Sequence, residues 1–146
     1  MKDFVSLVVA RLASRIERHA EIYLRRIVDI GVPEWRLLVY VYRFSCADPS
    51  EVARELNLPE PELQKLVDSL CAKHFCKIAP GNGPVRIEQT EVGRGIYETI
   101  LPHMVERQDR MLSCLKAEES EVLTRMLEGL TANMDVLLQE QQKFDG

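Results

Sequence analysis

The protein has 146 residues, of which 46% are hydrophobic and 29% charged, and this balance predicts a folded chain with a buried core rather than disorder. The formal net charge of -4 provides no overall positive field, so any contact with nucleic acid has to come from local lysines and arginines. No apolar run approaches the roughly 18 to 20 residues of a membrane span, and arginines interrupt the apolar N-terminal segment. We therefore expect a cytoplasmic protein without a membrane segment or signal peptide.

The cysteines and histidines show no spacing typical of a disulfide framework, a metal site or catalysis. The four cysteines are Cys46, Cys71, Cys76 and Cys114, and the three histidines are His19, His74 and His103. Neither a Cys-x-x-Cys nor a His-x-x-x-His pair is present, and no catalytic motif occurs. We expect reduced thiols, no cofactor, no bound metal and no enzyme activity. Redox control through Cys71 and Cys76 is left open as an alternative.

Apolar periodicity predicts two helices in the first part of the chain. Residues 3–30 repeat apolar side chains at helical spacing, and Gly31 suits the position just after a helix C-terminus. Because so long a helix exceeds what the core of a small domain can cover, we expect part of it to pack on a second copy of the chain. Pro33 suits the first turn of a second, buried helix over residues 34–44, which is apolar nearly all round.

Residues 50–75 contain two short apolar-periodic stretches separated by Asn57-Leu58-Pro59, and this spacing predicts a helix-turn-helix. Asp48 and Pro49 supply an N-cap and a first-turn proline for its first helix, over residues 50–56. The second helix is expected to run to about His74, a residue type that tolerates a left-handed turn.

The remaining segments predict a β-hairpin and two further helices. Strand candidates over residues 75–79 and 84–89 flank the turn signal of residues 80–84. Thr90 can cap a fifth helix, which Pro102 should kink. A sixth helix is expected to open at residues 116–119, and the polar tail over residues 139–146 is expected to fray.

The predicted fold class is mainly α, with a winged helix-turn-helix over residues 33–94. Long helices within residues 1–31 and 95–146 flank it, and the chain is expected to form a single domain over residues 1–146.

Five motifs, in this order and spacing, resemble the MarR family of winged-helix regulators. They are Trp35-Arg36-Leu37, Glu51-Val52-Ala53-Arg54-Glu55-Leu56, Leu66-Val67-Asp68-Ser69-Leu70, Gln89-Thr90-Glu91-Val92-Gly93-Arg94 and Leu115-Lys116-Ala117-Glu118-Glu119. The resemblance implies a homodimeric transcription regulator, a repressor, whose dimer is formed by the first and the last two helices, within residues 1–31 and 95–146. It implies one winged helix-turn-helix per subunit on a pseudo-palindromic site in double-stranded DNA. It also implies release of the DNA by a small amphipathic, often phenolic, ligand.

The candidate DNA-binding residues are Gln64, Lys65, Lys77 and Arg86. Gln64 and Lys65 lie in the middle of the second helix of the helix-turn-helix, where glutamine suits adenine and lysine suits guanine. Arg86 suits a minor groove or a phosphate, and Lys77, across the predicted hairpin, suits a phosphate. Solvated surface positions are the alternative for all four.

Three departures from the family pattern favour a different function. The second helix begins Glu60-Pro61-Glu62, where the family has small hydroxyl residues, and the turn at residues 80–84 is about three residues shorter than the family's wing and lacks its arginine. Residues 49–94 carry six lysines and arginines against seven acids. The alternative is a winged-helix protein with weak or lost DNA binding that acts through protein or ligand contacts.

The candidate ligand-binding residues are Tyr23, Trp35, Arg36 and His103. They combine aromatic surfaces with polar ends, as small-molecule sites do. The alternative is that the aromatic side chains belong to the core and that Arg36 pairs with a neighbouring acid.

Overall fold

The computed structural model describes residues 4–145, apart from the side chains of Cys46 and Asp145. The helices are α1 (Val5–Val28), α2 (Val32–Phe44), α3 (Pro49–Glu55), α4 (Glu60–Ala72), α5 (Glu91–Leu112) and α6 (Ala117–Asp145). The strands are β1 (Cys46–Ala47), β2 (Cys76–Ile78) and β3 (Ile87–Gln89). The mainly α, winged helix-turn-helix fold class predicted from the sequence is confirmed. Among the described residues, no helix combines the length and the apolar character that crossing a bilayer requires.

The chain divides into two compact units, one up to Leu101 and one from Pro102 onward. The division falls inside α5, which contains Pro102. The predicted kink at Pro102 and the single-domain organisation stay predictions. The first unit contains the core, whose largest fully buried side chains are those of Leu24, Ile30, Leu37, Leu70, Ile87, Ile100, Val41 and Val52.

The junction of α1 and α2 differs from the sequence prediction. The residue that ends α1 in a left-handed conformation is Asp29, at φ 53°, whereas Gly31 is extended at φ -93° and precedes α2 as its N-cap. The assignment of Gly31 as the C-terminal glycine of α1 was therefore wrong. The Glu21 carboxylate accepts hydrogen bonds from Val32 N at 2.8 Å and from Arg25 Nε at 2.9 Å. The bond from Val32 N connects α1 to the start of α2, and the bond from Arg25 lies within α1.

Local capping fixes the helix-turn-helix. The Asp48 carboxylate accepts a hydrogen bond from Ser50 N at 2.9 Å, which confirms Asp48 as the N-cap of α3. Asn57 turns the chain at φ 52°, and Leu58 N donates to Ala53 O at 2.9 Å. His74, at φ 63°, takes the expected left-handed conformation two residues after α4.

The sheet has three strands rather than the predicted two, in the order β1-β3-β2 with antiparallel pairs. The two-residue strand β1, paired with Ile87 and Glu88, was not predicted because it is too short to show a periodic pattern. Strands β2 and β3 and their loop form the wing, and Ala79 N donates to Arg86 O at 2.9 Å beyond the two strands.

Thr90 closes the base of the wing. Its hydroxyl accepts a hydrogen bond from Gly93 N at 2.9 Å, which confirms the expected cap of α5, and donates one to the carbonyl oxygen of His74. Gly93 is buried against Phe75, and a Cβ atom at Gly93 would lie 1.9 Å from Phe75 O. Only glycine permits this approach of α5 to the start of the wing.

In the second unit, α6 extends to Asp145, so the prediction of a frayed tail from Gln139 was wrong. Gly146, the last residue of that tail, lies outside the described residues, as do Met1, Lys2 and Asp3, of which Asp3 begins the first predicted helix. Every residue of α6 from Glu121 to Phe144 is exposed. The helix therefore presents its apolar side chains to the surroundings over more than twenty residues.

Candidate nucleic-acid interface

Helix α4 has the placement of a recognition helix. Its buried side chains, Leu63, Val67 and Leu70, hold one face against the core of the first unit, and helices α2 and α3 pack against α4. Gln64 and Lys65 lie on the exposed face. The four- and three-residue spacing that buries one face thereby presents both predicted base-reading side chains to solvent.

Both of those side chains interact with acids of their own helix. Gln64 Nε2 donates a hydrogen bond to Asp68 Oδ1 at 2.8 Å, and Lys65 Nζ lies 3.6 Å from Glu62 Oε1. Glu60 and Glu62 also occupy the first turn of α4, where the helix dipole favours carboxylates. The acids stabilise the helix end and at the same time place negative charge beside the cations that would meet phosphates.

The wing repeats this arrangement. Lys77 and Glu88 stand opposite each other in the β2–β3 register, with Lys77 Nζ 3.7 Å from Glu88 Oε2. Arg86 is exposed and lies just before β3. Lys65 and Lys77 therefore each lie beside a carboxylate of the same surface, which is compatible with the alternative that both are ordinary solvated surface positions.

A buried carboxylate connects α2 to the recognition helix, and the sequence analysis missed it. Glu34, 8% exposed, accepts a hydrogen bond from Ser69 Oγ at 2.8 Å, and its other oxygen lies 3.4 Å from Lys73 Nζ and 3.3 Å from Gly31 N. Lys73 Nζ also donates to Asp29 O at 2.7 Å. A glutamate three residues after the N-cap was the only sequence signal of this network. It fixes the C-terminal half of α4 against the α1–α2 junction.

The candidate ligand-binding residues have mixed surroundings. Trp35 stacks on Tyr97 with ring centroids 5.5 Å apart, and Tyr97 stacks on Tyr42 at 3.8 Å. Arg36 Nη2 lies 2.9 Å from Glu17 Oε1, which is the acid pairing that the sequence analysis left open. The other two candidates, half-buried Tyr23 and exposed His103, lie in the first and the second unit respectively. A ligand role for these four residues stays a prediction.

Burial disfavours the thiolate forms of Cys71 and Cys76. It raises the pKa of the Cys76 thiol to about 12, with a further contribution from neighbouring Cys71, and it also raises the pKa of Cys71. Because the thiolate is the reactive form, a raised pKa lowers the reactivity of both thiols at neutral pH. Among the described residues, no group of three or more His, Cys, Asp or Glu side chains is arranged to hold a metal ion.

Comparisons with solved structures show what the fold resembles. A MarR/EmrR family transcriptional regulator from Acinetobacter sp. ADP1 superposes with a TM-score of 0.83 at 20% identity, over 89% of this chain and 94% of the other. A MarR protein from Peptoclostridium difficile superposes with a TM-score of 0.83 at 14% identity, over 92% of this chain and 89% of the other. MepR, a transcription regulator of the Staphylococcus aureus multidrug efflux pump MepA, superposes with a TM-score of 0.66 at 18% identity. This superposition covers 90% of this chain and 99% of the other. No family model and no curated protein matches the sequence. The chain therefore has a MarR-like fold.

Proposed function

We propose that this protein is a homodimeric transcription regulator that binds a pseudo-palindromic site in double-stranded DNA and represses transcription there. The observation that carries the proposal is helix α4, which presents Gln64 and Lys65 on the exposed face of a helix-turn-helix beside an exposed wing. Two of the structural relatives that share this fold are described as transcription regulators. In this proposal α4 enters the major groove, and Lys77 and Arg86 contact the phosphate backbone or the minor groove.

The acidic partners weaken DNA binding without preventing it. The side chains of Lys65 and Glu62 are 75% and 54% exposed. An ion pair with this much exposure to water contributes only about 0 to 1 kcal/mol to stability. A DNA phosphate can therefore replace the carboxylate at little cost. Binding is expected to be weaker than for a surface with the same cations and no acids, because each nearby carboxylate repels the backbone.

Exposed apolar faces on α1 and α6 support the dimer. On α1, Val5, Val8, Leu12 and Ile16 are 65%, 45%, 47% and 41% exposed and follow one another at three- and four-residue intervals on one face. On α6 the corresponding side chains are Leu123, Met126, Leu130, Met134 and Leu137. Apolar stripes of this length on a folded protein mark interfaces, and a second copy of the chain supplies the matching stripes.

Release of the DNA by a small amphipathic ligand belongs to the same proposal. Tyr23, Trp35 and Arg36 are its candidate contacts in the first unit, and His103 is the candidate in the second. The aromatic side chains offer apolar surface, and Arg36 offers a charge that an anionic group would draw away from Glu17.

A second candidate function is a winged-helix protein with little affinity for DNA that acts through protein or ligand contacts. The observation that favours it is the pairing of both Lys65 and Lys77 with acids, together with Glu60 and Glu62 at the entry of α4. The two candidates differ in their expected affinity for DNA and in the dependence of that affinity on salt.

The test is a fluorescence anisotropy titration against the DNA upstream of the protein's own gene, repeated over a series of salt concentrations. We expect a specific Kd below about 1 µM and a log-log salt slope that is clearly negative. Lys65→Ala should relax sequence preference and weaken specific binding by about 1 to 3 kcal/mol. Arg86→Ala should weaken binding to all DNA sequences alike and reduce the magnitude of the salt slope by about one.

Lys143→Ala, which removes a positive charge from the last turn of α6, is the matched control and should leave binding unchanged. If every DNA binds equally weakly and neither Lys65→Ala nor Arg86→Ala differs from Lys143→Ala, the regulator proposal is wrong and the second candidate is favoured. Sedimentation velocity tests the dimer, and a monomer at micromolar concentration would contradict it.

A further inference from the structure

Glu34 forms a polar link between the recognition helix and the junction of α1 and α2. Among the residues that the structure describes, it is the one charged residue that is buried. One carboxylate oxygen accepts a hydrogen bond from Ser69 Oγ at 2.8 Å, and the other lies 3.4 Å from Lys73 Nζ and 3.3 Å from Gly31 N. Ser69 and Lys73 are four residues apart, so both lie on one face at the C-terminal end of α4. Because a buried carboxylate is costly unless it is paired and hydrogen-bonded, these contacts favour one orientation of α4.

The same link reaches α1, which contributes an apolar stripe to the proposed dimer. Lys73 Nζ donates a hydrogen bond to the carbonyl oxygen of Asp29 at 2.7 Å, and Asp29 ends α1 in a left-handed conformation. The Glu21 carboxylate of α1 accepts a hydrogen bond at 2.8 Å from the amide of Val32, the first residue of α2. Helix α2 packs against both α1 and α4. Polar contacts therefore join the end of α4 to the end of α1 and to the start of α2.

These polar contacts differ in their physical role from the apolar contacts of α4. Leu63, Val67 and Leu70 are buried and hold the helix on the core. The hydrophobic effect is non-directional, so it opposes separation of the helix from the core more than a small change in tilt. Hydrogen bonds weaken steeply when their angles change. The contacts of Glu34 therefore fix the direction in which the rest of α4 points.

A small change in this direction has a large effect at the side chains proposed to read bases. Gln64 lies nine residues before Lys73, about 13 Å along a helix that rises about 1.5 Å per residue. Tilting α4 by about 10° at its C-terminal end would therefore move the Cα atom of Gln64 by roughly 2 Å. A hydrogen bond to a base edge, with a donor–acceptor distance of about 2.7 to 3.2 Å, does not survive a displacement of that size.

We propose that Glu34, Ser69 and Lys73 are positioning residues that fix the angle between α4 and α1, and thereby set the half-site spacing that the protein accepts in DNA. This inference rests on the proposed function, because it requires a dimer that includes α1 and a helix α4 that reads bases. The two-fold symmetry of such a dimer repeats the angle in both copies. A change in the angle therefore displaces both recognition helices and alters the distance between them.

The test compares binding to two DNA duplexes that differ only in the spacing of their half-sites. A palindromic duplex is first selected with the wild-type protein from a pool of random sequences, and the second duplex carries one added base pair at its centre. The added pair moves one half-site by about 3.4 Å and turns it by about 35° relative to the other. We expect the wild type to bind the longer duplex at least about tenfold more weakly.

Ser69→Ala removes the hydrogen bond to Glu34 and leaves the charge of Lys73 in place. We expect it to weaken binding to the selected duplex and to reduce the preference over the longer duplex to about threefold or less. Lys73→Met, which removes the contacts with both Glu34 and Asp29, should reduce the preference in the same way. Ser69→Thr retains the hydroxyl group and should restore the wild-type preference.

Ile100→Val is the matched control for stability. It trims a fully buried side chain of α5, and the expected loss of stability is similar to that of one hydrogen bond. We expect its spacing preference to equal that of the wild type. If Ser69→Ala lowers Tm as Ile100→Val does and keeps the full preference for the selected duplex, the network only stabilises the fold and the inference is wrong.

A distance measurement without DNA separates this inference from the proposed function. A nitroxide attached through an unnatural ketone amino acid at Lys65 labels the recognition helix of each copy, and double electron–electron resonance measures the distance between the two labels. We expect a narrow distance distribution in the otherwise unchanged chain and in Ile100→Val, and a broader one in Ser69→Ala. A chain that gives no dipolar signal has no second recognition helix within range, which would overturn the inference.

The two measurements together distinguish the possible failures. If the distribution broadens in Ser69→Ala but the chain binds no DNA, the network positions α4 and the proposed function fails. If the chain binds DNA, and Ser69→Ala changes neither the distance distribution nor the spacing preference, the proposed function stands and the positioning role of Glu34, Ser69 and Lys73 fails.

Discussion

Replacing Gly93 by alanine should destabilise the protein, although alanine favours helices. A Cβ atom at this position would lie 1.9 Å from Phe75 O, 2.8 Å from Phe75 C and 3.0 Å from Phe75 Cα, and all three are backbone atoms. Neither a rotamer change nor a flexible side-chain end can relieve these contacts. The first turn of α5 and the start of the wing must therefore move apart by more than 1 Å.

The magnitude follows from two opposing effects. Overpacking a close contact costs about 1 to 3 kcal/mol or more, and a clash with backbone lies at the upper end. Alanine regains up to about 1 kcal/mol over glycine inside a helix. We expect Gly93→Ala to lower the free energy of unfolding by about 2 kcal/mol, which corresponds to a fall in Tm of roughly 4 to 8 °C for a chain of this size.

Gly95 provides the matched control on the same helix. It is exposed, and a Cβ atom there meets nothing within 4 Å, so Gly95→Ala should stabilise the protein by about 0.5 to 1 kcal/mol. Urea unfolding followed by circular dichroism at one protomer concentration measures both variants, because the stability of a dimer depends on concentration. If Gly93→Ala is as stable as Gly95→Ala, the contact between α5 and the wing does not have the closeness that the structure gives it.

Two further substitutions or modifications test the buried groups. Glu34→Gln should lower the free energy of unfolding by about 1 to 3 kcal/mol in the same urea assay, because the neutral amide loses the charge that faces Lys73 Nζ and its NH2 group cannot accept the hydrogen bond that Ser69 Oγ donates. Glu17→Gln, which breaks only the exposed pair with Arg36, should cost less than about 1 kcal/mol, and equal costs would contradict the role assigned to Glu34. For the thiols, the pKa of Cys76 is raised from 9.0 to about 12, so its thiolate fraction at pH 8 is roughly a thousandfold below that of an unperturbed thiol. Peptide mapping after iodoacetamide should show Cys114, which is exposed, modified long before Cys76 in the native protein, and similar rates would refute the burial argument.

Local signals in the sequence were sufficient for most of the fold. Asp48 followed by Pro49, the left-handed turn at His74 and the cap at Thr90 each depend on a few adjacent residues, and the structure confirms all three. Predictions failed where two local signals competed. Asp29 took the left-handed position that was assigned to Gly31, and Gly31 served the next helix instead.

The continuation of α6 through residues 139–145 has a different cause. This segment lacks an apolar period, but its glutamine, glutamate and lysine residues are good helix formers, and they extend a helix that is already nucleated. Apolar periodicity indicates which face of a helix packs against other residues. It therefore gives no indication of a helix in a segment whose side chains are exposed.

Only part of the candidate interface could be predicted from the sequence. The exposure of Gln64 and Lys65 follows from helical spacing, and the pairing of Lys65 with Glu62, three residues earlier, could have been predicted by the same rule. The Lys77–Glu88 pair needs the register of the hairpin, and the contacts of Glu34 with Ser69 and Lys73 join residues 35 and 39 positions apart. Such contacts depend on tertiary structure that no local pattern specifies.

The hydroxyl of Thr90 makes the wing a natural site for protein engineering. Because this side chain bridges the carbonyl of His74 and the amide of Gly93, the hairpin is tied at its base, and its tip at residues 80–84 can be redesigned without disturbing either helix. Lengthening a loop adds only about 0.6 kcal/mol for each doubling of its length. A longer, arginine-bearing tip could therefore be grafted between Pro80 and Pro84 to strengthen the proposed DNA binding while the rest of the chain keeps its native sequence.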